Sequence, residues 1–291
     1  MQQEAVDDLV AVLDLEPIEV NLFRGTSPDV AVQRVFGGQV AGQALVAAAR
    51  TVDRDRHVHS LHAYFLRPGD PTVPILYEVD RIRDGRSFTT RRVVAIQHGK
   101  PIFNLSASFH VTEHGYDHAE PMPEDTPEPE TLPDFATRWT PIMGHTEEGR
   151  RWLARPRPID MRYVDGFPSA RREPLPPRNR VWLRADGTLP DDPVLHTCVV
   201  TYASDMTLLD TTLFPHGRSF VENDVMMASL DHAMWFHRPF RADEWLLYAQ
   251  DTPSASGGRG IARGLFFTAS GELVASVVQE GLIRPIEDPA P

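Results

Sequence analysis

One cysteine, one lysine and no long apolar run set the first limits on this chain of 291 residues. With Cys198 as the only cysteine, no intrachain disulfide can form and nothing points to an oxidising compartment. Cys198 lies in the apolar stretch VLHTCVV, where a small buried hydrophobe is expected rather than a nucleophile. No apolar run approaches the roughly 18 residues that a bilayer span needs. Lys100 is the sole lysine, so positive charge comes from arginine, and the formal net charge is −12. That balance disfavours nucleic acid and anionic membranes as partners. An anionic ligand would have to be held by arginine, whose forked donors suit phosphate. The N-terminal stretch MQQEAVDDLVAVLDL is acidic and amphipathic, without the basic start or cleavage site of a signal peptide. The last residues, EDPAP, carry no peroxisomal or retention address. These features predict a cytoplasmic protein.

What is present divides in two. Between His114 and Pro133 the chain reads HGYDHAEPMPEDTPEPETLP. Proline and carboxylates dominate there and hydrophobic periodicity vanishes, which predicts an extended surface connection. On either side the same order of patterns recurs. In the first part GGQVAGQALVAAARTV (37–52) is rich in small residues and strong helix formers, apolar almost all round, and predicts a buried helix. Four stretches of period two follow, HVHSLHAYFLRP, PTVPILYEVDRIR, RSFTTRRVVAIQHG and PIFNLSASFHV, separated by turns rich in glycine, proline and aspartate. In the second part DPVLHTCVVTYASDMTLLDTTLF (192–214) has helical spacing, with Pro193 at a plausible first turn. Strand-like SLDHAMWFHRP, EWLLYAQDTPSA, RGIARGLFFTASG and ELVASVVQEGLIRP come after it. SLHAYFLRP (60–68) and SLDHAMWFHRP (229–239) are echoes of one phrase, Phe65–Pro68 matching Phe236–Pro239, and the turn glycine Gly99 matches Gly271 with one residue of slippage. A period of about 170 residues is too long for a solenoid and indicates a duplicated domain. The expected fold is α+β, an antiparallel sheet wrapped on a helix, twice over.

The phrases FGGQVAGQAL, SLHAYFLRPGD, DGRSFTTRRVVAIQHG, YASDMTLL, ASLDHAMWFHRPFRADEWLLY and ASVVQEGLIR together resemble the type II acyl-CoA thioesterases, a family with a double hotdog fold. The resemblance implies an N-terminal hotdog unit over residues 1–112 and an acidic connection over 113–145. A C-terminal unit over 146–285 and a tail over 286–291 complete the chain. It also implies hydrolysis of fatty acyl-CoA to free acid and CoA, with no cofactor, metal or covalent intermediate, and further assembly into a homo-oligomer. The family's aspartate, hydroxyl residue and glutamine, which place the attacking water, fall on Asp205, Ser229 and Gln279. Serine here departs from the threonine of comparable members; it keeps the hydroxyl and loses the methyl that restricts its rotamers. The first unit lacks the trio, with Ala107 opposite Gln279 in the repeat and no aspartate around its helix. One copy thus supplies chemistry and the other scaffold.

Taken without the resemblance, Asp205 reads as a residue that caps a helix. Candidate partners for the CoA phosphates are Arg259 and Arg263 in SGGRGIARG, and Arg86, Arg91 and Arg92 in DGRSFTTRR. Each alone reads as a solvated strand residue. His57, His59 and His62 do not predict a metal site, because only the first two share a strand face. The glycines of FGGQVAG lack the dinucleotide spacing, and no G-x-S-x-G elbow is present. Two rivals are weighed. A hotdog enoyl-CoA hydratase would need an aspartate–histidine pair that SDMTLLDTTLFPH does not supply; an acyl-CoA-binding module without catalysis would have no reason to keep the trio.

Overall fold

The computed structural model describes residues 2–28, 33–165, 173–222 and 224–286. The first half opens with helix α1 (Gln2–Leu13) and a hairpin, β1 (Glu16–Glu19) and β2 (Leu22–Gly25). Helix α2 (Gly37–Ala49) and strands β3 (Arg56–Phe65), β4 (Ile75–Asp84), β5 (Phe88–Gln97) and β6 (Lys100–Val111) follow. After the connection come helices α3 (Phe135–Met143) and α4 (Glu147–Leu153), then β7 (Ile159–Tyr163), β8 (Arg178–Ala185) and α5 (Pro193–Ser204). A 3-10 helix (Leu209–His216) leads to β9 (Val225–Ser229), β10 (Asp231–Phe236), β11 (Leu246–Ser256), β12 (Arg259–Thr268) and β13 (Leu273–Pro285). No helix among the described residues is long and apolar enough to cross a membrane.

The strands form one antiparallel sheet in the order β1-β2-β4-β5-β6-β3-β10-β13-β12-β11-β8-β7, with β9 also paired to β13. Read outward from its centre, the order is the same in both directions: β3-β6-β5-β4 on one side and β10-β13-β12-β11 on the other. The echoed phrases are the two strands that meet in the middle. His62 pairs with Ala233, its own match in the repeat, so the pseudo-twofold passes between them. The turn glycines Gly99 and Gly271 both take the left-handed backbone, at φ 69° and 88°. Tyr77 and Tyr248 are matched too. Both are buried, and each hydroxyl reaches a central helix, at Gln43 Oε1 (2.7 Å) and at the Ser204 carbonyl (3.1 Å). This is the double hotdog.

The two central helices lie against each other. Every residue of α2 from Gly38 to Ala48 is buried, which explains its lack of a polar face. Glycine is needed where its backbone meets α5. A Cβ on Gly38 would sit 2.2 Å from the Tyr202 carbonyl oxygen, and one on Gly42 would sit 3.3 Å from that of Cys198. The contacts run in opposite directions along the chain, so the helices are antiparallel. Helix α1 closes over them, with Val6, Leu9 and Leu13 in the same apolar core.

Two expectations change. Helical spacing over 192–214 continues past the end of α5. The α-helix stops at Ser204, and residues 209–216 form the tighter 3-10 helix, which holds Pro215 and ends on left-handed Gly217. The acidic connection is extended through its first part, yet it is pinned rather than loose. Trp182 Nε1 donates to the Pro127 carbonyl (3.0 Å) and Trp245 Nε1 to Glu130 (2.7 Å); Pro129 is buried. Helix α3 begins inside the expected linker, with Asp134 capping Thr137 N.

The glycine contact gives a direct test. Gly38→Ala forces backbone apart, because the atom it meets is a main-chain carbonyl. A loss of about 1–3 kcal/mol is expected, as for overpacking elsewhere, measured as a lower denaturant midpoint. An unchanged midpoint would contradict the helix contact described.

Candidate functional site

Asp205 caps the C-terminus of α5 with φ −87° and ψ 0°, in the sparsely populated bridge region. A carboxylate at that end is opposed by the helix's own carbonyls. The opposition is offset from the other unit, where the Gly38 N–H, in the first turn of α2, faces the Asp205 carboxylate and favours its charged form. Close approach requires Gly37 as well. A Cβ there would lie 2.5 Å from Asp205 Oδ2 and 2.9 Å from the Phe65 ring.

Ser229 and Gln279 come to the same carboxylate from the sheet. Gln279 is fully buried on β13, and its Nε2 donates to Asp205 Oδ1 at 2.6 Å. Ser229 Oγ donates to the same oxygen at 3.0 Å. A strict alternation through Met234 and His232, both buried, would turn residue 229 outward. The structure shifts register between β9 and β10. Ser229 pairs with Gly281 while Ala233 pairs with Val278, one residue out of step. That irregularity puts Ser229 on the face of Gln279, as bulges commonly do near sites. Gln279 Oε1 is buried and takes no hydrogen bond from any described residue.

Burial raises the Asp205 pKa above the usual carboxylate range, opposed by the hydrogen bonds from Gln279, Ser229 and Gly38. Asp210 is close enough to feel it. Burial first, then the charge of Asp205, pushes Asp210 up to about 7. His232 is held neutral by burial, its pKa lowered to about 4, and its Nε2 lies 2.8 Å from Ser204 Oγ. Asp231 accepts the Glu280 N–H at 2.6 Å, a strand-fixing role.

The structure therefore brings Asp205, Ser229 and Gln279 together. The arginines do not join them. Arg91 is a correction: it is 1% exposed and fully engaged as an internal cross-link. Its guanidinium donates to Thr51 Oγ1 (2.8 Å), the Thr51 carbonyl (2.9 Å) and Asp84 (2.6 Å), and a buried cation must be so paired. Arg259 and Arg263 lie three residues before and one residue after Ala262, which pairs with Gln279, so both project from the opposite sheet face. There they pair with Glu280 (3.0 Å) and Asp251 (2.6 Å). Arg86 is exposed in the turn before β5. A cavity of about 750 Å³ includes Arg218, Gly258, Arg259 and Ile283 in its lining, but none of the trio. Of the histidines of HVHSLH, His59 lies beside Phe88 and His110, whereas His62 meets Trp235 edge-on. Gly37 and Gly38 are the site residues that sequence reasoning missed. Their signal was a glycine pair at the start of a helix, with no capping side chain before it.

A family described as acyl-CoA thioesterase matches residues 172–282, and one described as acyl-CoA thioesterase N-terminal domain matches residues 26–110. The chain is 42% identical over 285 residues to human acyl-coenzyme A thioesterase 8, covering 95% of this chain and 88% of that protein. It is 38% identical over 284 residues to acyl-CoA thioesterase 2 of Haemophilus influenzae, covering 97% and 98%. Among solved structures, the acyl-CoA thioesterase II TesB2 from Mycobacterium marinum superposes with a TM-score of 0.78 at 47% identity, covering 95% and 98%.

The raised Asp210 pKa has a consequence for stability. Between the free-aspartate value near 3.9 and about 7, the folded state keeps a proton that the unfolded chain has lost. Stability therefore falls as pH rises through that window. Asp210→Asn removes the titration. Its melting temperature should match wild type near pH 4 and exceed it at pH 8; parallel pH profiles for the two proteins would contradict the assignment.

Proposed function

From the premise that the chain belongs to the type II acyl-CoA thioesterase family and is a thioester hydrolase acting on acyl-CoA, we propose that it cleaves fatty acyl-CoA by direct attack of water, with Asp205 as the base. The observation that carries the proposal is the double hydrogen bond on Asp205 Oδ1, from Ser229 and Gln279. Both donors hold one oxygen, which orients the carboxylate and leaves its remaining lone pairs for a water. Gln279 Oε1, with no other partner among the described residues, can accept a hydrogen bond from that water's second O–H. The oxygen of the water bonds to the thioester carbon, its proton passes to Asp205, the C–S bond breaks, and the proton leaves with the CoA sulfur. General-base help of this kind accounts for about 10²–10⁴-fold. A base with a raised pKa accepts the proton more readily at neutral pH.

In this reading residues 146–285 provide the chemistry and residues 1–112 provide walls, together with the α2 amide that supports Asp205. The cytoplasm is the proposed compartment on sequence grounds, and a homo-oligomer is the proposed assembly from the family resemblance. Arg259, Arg263 and Arg86 are the proposed phosphate partners of CoA. Support is best for Arg259, which shares its cavity with Arg218 and the left-handed turn residue Gly258, a backbone type that suits anions.

Thiol release from an acyl-CoA length series tests the reaction and the site together. Asp205→Asn should lower kcat by about a hundredfold or more while acyl-CoA still binds. In the wild type, kcat/KM should fall as pH drops, because the base must be ionised. Since the Asp205 pKa is raised, that fall should set in at a higher pH than an ordinary aspartate would give. Binding without thiol release in the wild type would favour a binding module, and full activity in Asp205→Asn would remove Asp205 from the mechanism.

A further inference from the structure

We infer that Gln250 is a positioning residue for the reaction, setting Asp205 in place through Thr207 and Thr211. Asp205 is the first residue past α5, and the five residues after it include no α-helix or strand. What holds this stretch is β11. Tyr248 and Gln250 alternate onto its helix-facing side, both buried. The Tyr248 hydroxyl donates to the carbonyl of Ser204, immediately before Asp205, at 3.1 Å. Gln250 Nε2 donates to Thr207 Oγ1, two residues after it, at 2.5 Å. The other end of Gln250 is equally engaged: Oε1 accepts from Thr211 Oγ1 (2.9 Å) and from Asn179 Nδ2 on β8 (3.1 Å). Asn179, Thr207, Thr211 and Gln250 are each at most 3% exposed. Strand and turn are thus joined by a closed polar network in the interior, where a side chain has to make its hydrogen bonds or forfeit them.

The duplicated unit shows that packing alone does not ask for glutamine here. Val79 stands at the matching position of β4, two residues past the matched tyrosine Tyr77, and is buried. Its cross-strand partner is Val93, as that of Gln250 is Gly264. The same sheet position is apolar in the unit without the aspartate and polar in the unit with it. Moving the turn would draw Asp205 from Ser229 and Gln279, which stand on β9 and β13. A misplacement of about 1 Å can cost about a hundredfold in rate.

Resting on Asp205 as the base, the inference is tested by Gln250→Leu, Thr207→Val, Thr207→Ser and the double variant Gln250→Leu/Thr207→Val. Each is assayed for thiol release from acyl-CoA over a pH series beside Asp205→Asn. Gln250→Leu and Thr207→Val should each lower kcat about ten- to a hundredfold with KM within about twofold. Thr207→Ser, which keeps the hydroxyl, should stay near wild type. The double variant should lose no more than the worse single one, since both break one connection. The acidic limb of kcat/KM should move to higher pH in the impaired variants. A carboxylate drawn away from Ser229, Gln279 and Gly38 loses the bonds that oppose its desolvation, while Asp210, Tyr248 and His232 remain as its titratable neighbours. Wild-type kcat in Gln250→Leu or Thr207→Val would overturn the inference if Asp205→Asn is inactive. So would additive losses, or a fall in kcat with an unmoved acidic limb. An active Asp205→Asn would instead overturn the reading of the site itself.

Discussion

A helix that carries glycine where it crosses its neighbour can bring the two main chains into contact, and here that contact places a carboxylate between two helix ends. Gly38 and Gly42 let α2 lie directly on the carbonyls of α5. The antiparallel arrangement then sets the amide end of α2 against the carbonyl end of α5. Asp205 sits at that junction. Its own helix disfavours the negative charge and the opposing helix favours it, with the Gly38 N–H as the physical link. Neither unit alone contains this geometry. The sheet, continuous across β3 and β10, fixes the two units in the one relation that brings the helix ends together.

Duplication left matched positions with opposite contents. In the second unit small Ala262 pairs with Gln279, which reaches Asp205; in the first, large Arg91 pairs with small Ala107. Size is traded across one strand pair, and the space that a glutamine would enter is occupied from the neighbouring strand by an arginine bonded to Thr51 at the end of α2. Gln250 and Val79 differ in the same sense. The first unit has become a filled scaffold around its helix end, and the second keeps polar groups where acyl-CoA hydrolysis is proposed to occur.

Much of the fold was legible because it rests on period. Alternation marked the long strands, an all-apolar stretch marked α2, and the echoed phrase marked the central pair. Asp205, Ser229 and Gln279 were legible only through the family resemblance, since each type is ordinary in isolation. Ser229 shows why. SLDHAMWFHRP reads as one uninterrupted strand, and nothing in its composition announces the register shift that turns the serine inward. The end of α5 was hidden likewise, because apolar residues such as Leu208 and Leu213 continue beyond it. Arg91 was readable and was misread: Val93 and Ala95 face the core, so a residue two places earlier shares their face. The acidic connection misled because composition reports what a segment cannot bury by itself. It does not report that the indoles of Trp182 and Trp245 will bind its backbone and side chains from outside.

In the proposed reaction Asp205 activates water; the alternative chemistry for a carboxylate at this place is attack on the thioester itself. A single turnover with enzyme in excess over acyl-CoA in oxygen-18 water separates the two. Direct attack by water predicts one labelled oxygen in the released fatty acid and none in the peptide that contains Asp205. Label in the Asp205 carboxylate, with unlabelled oxygen delivered to the acid, would contradict it and establish a covalent anhydride instead.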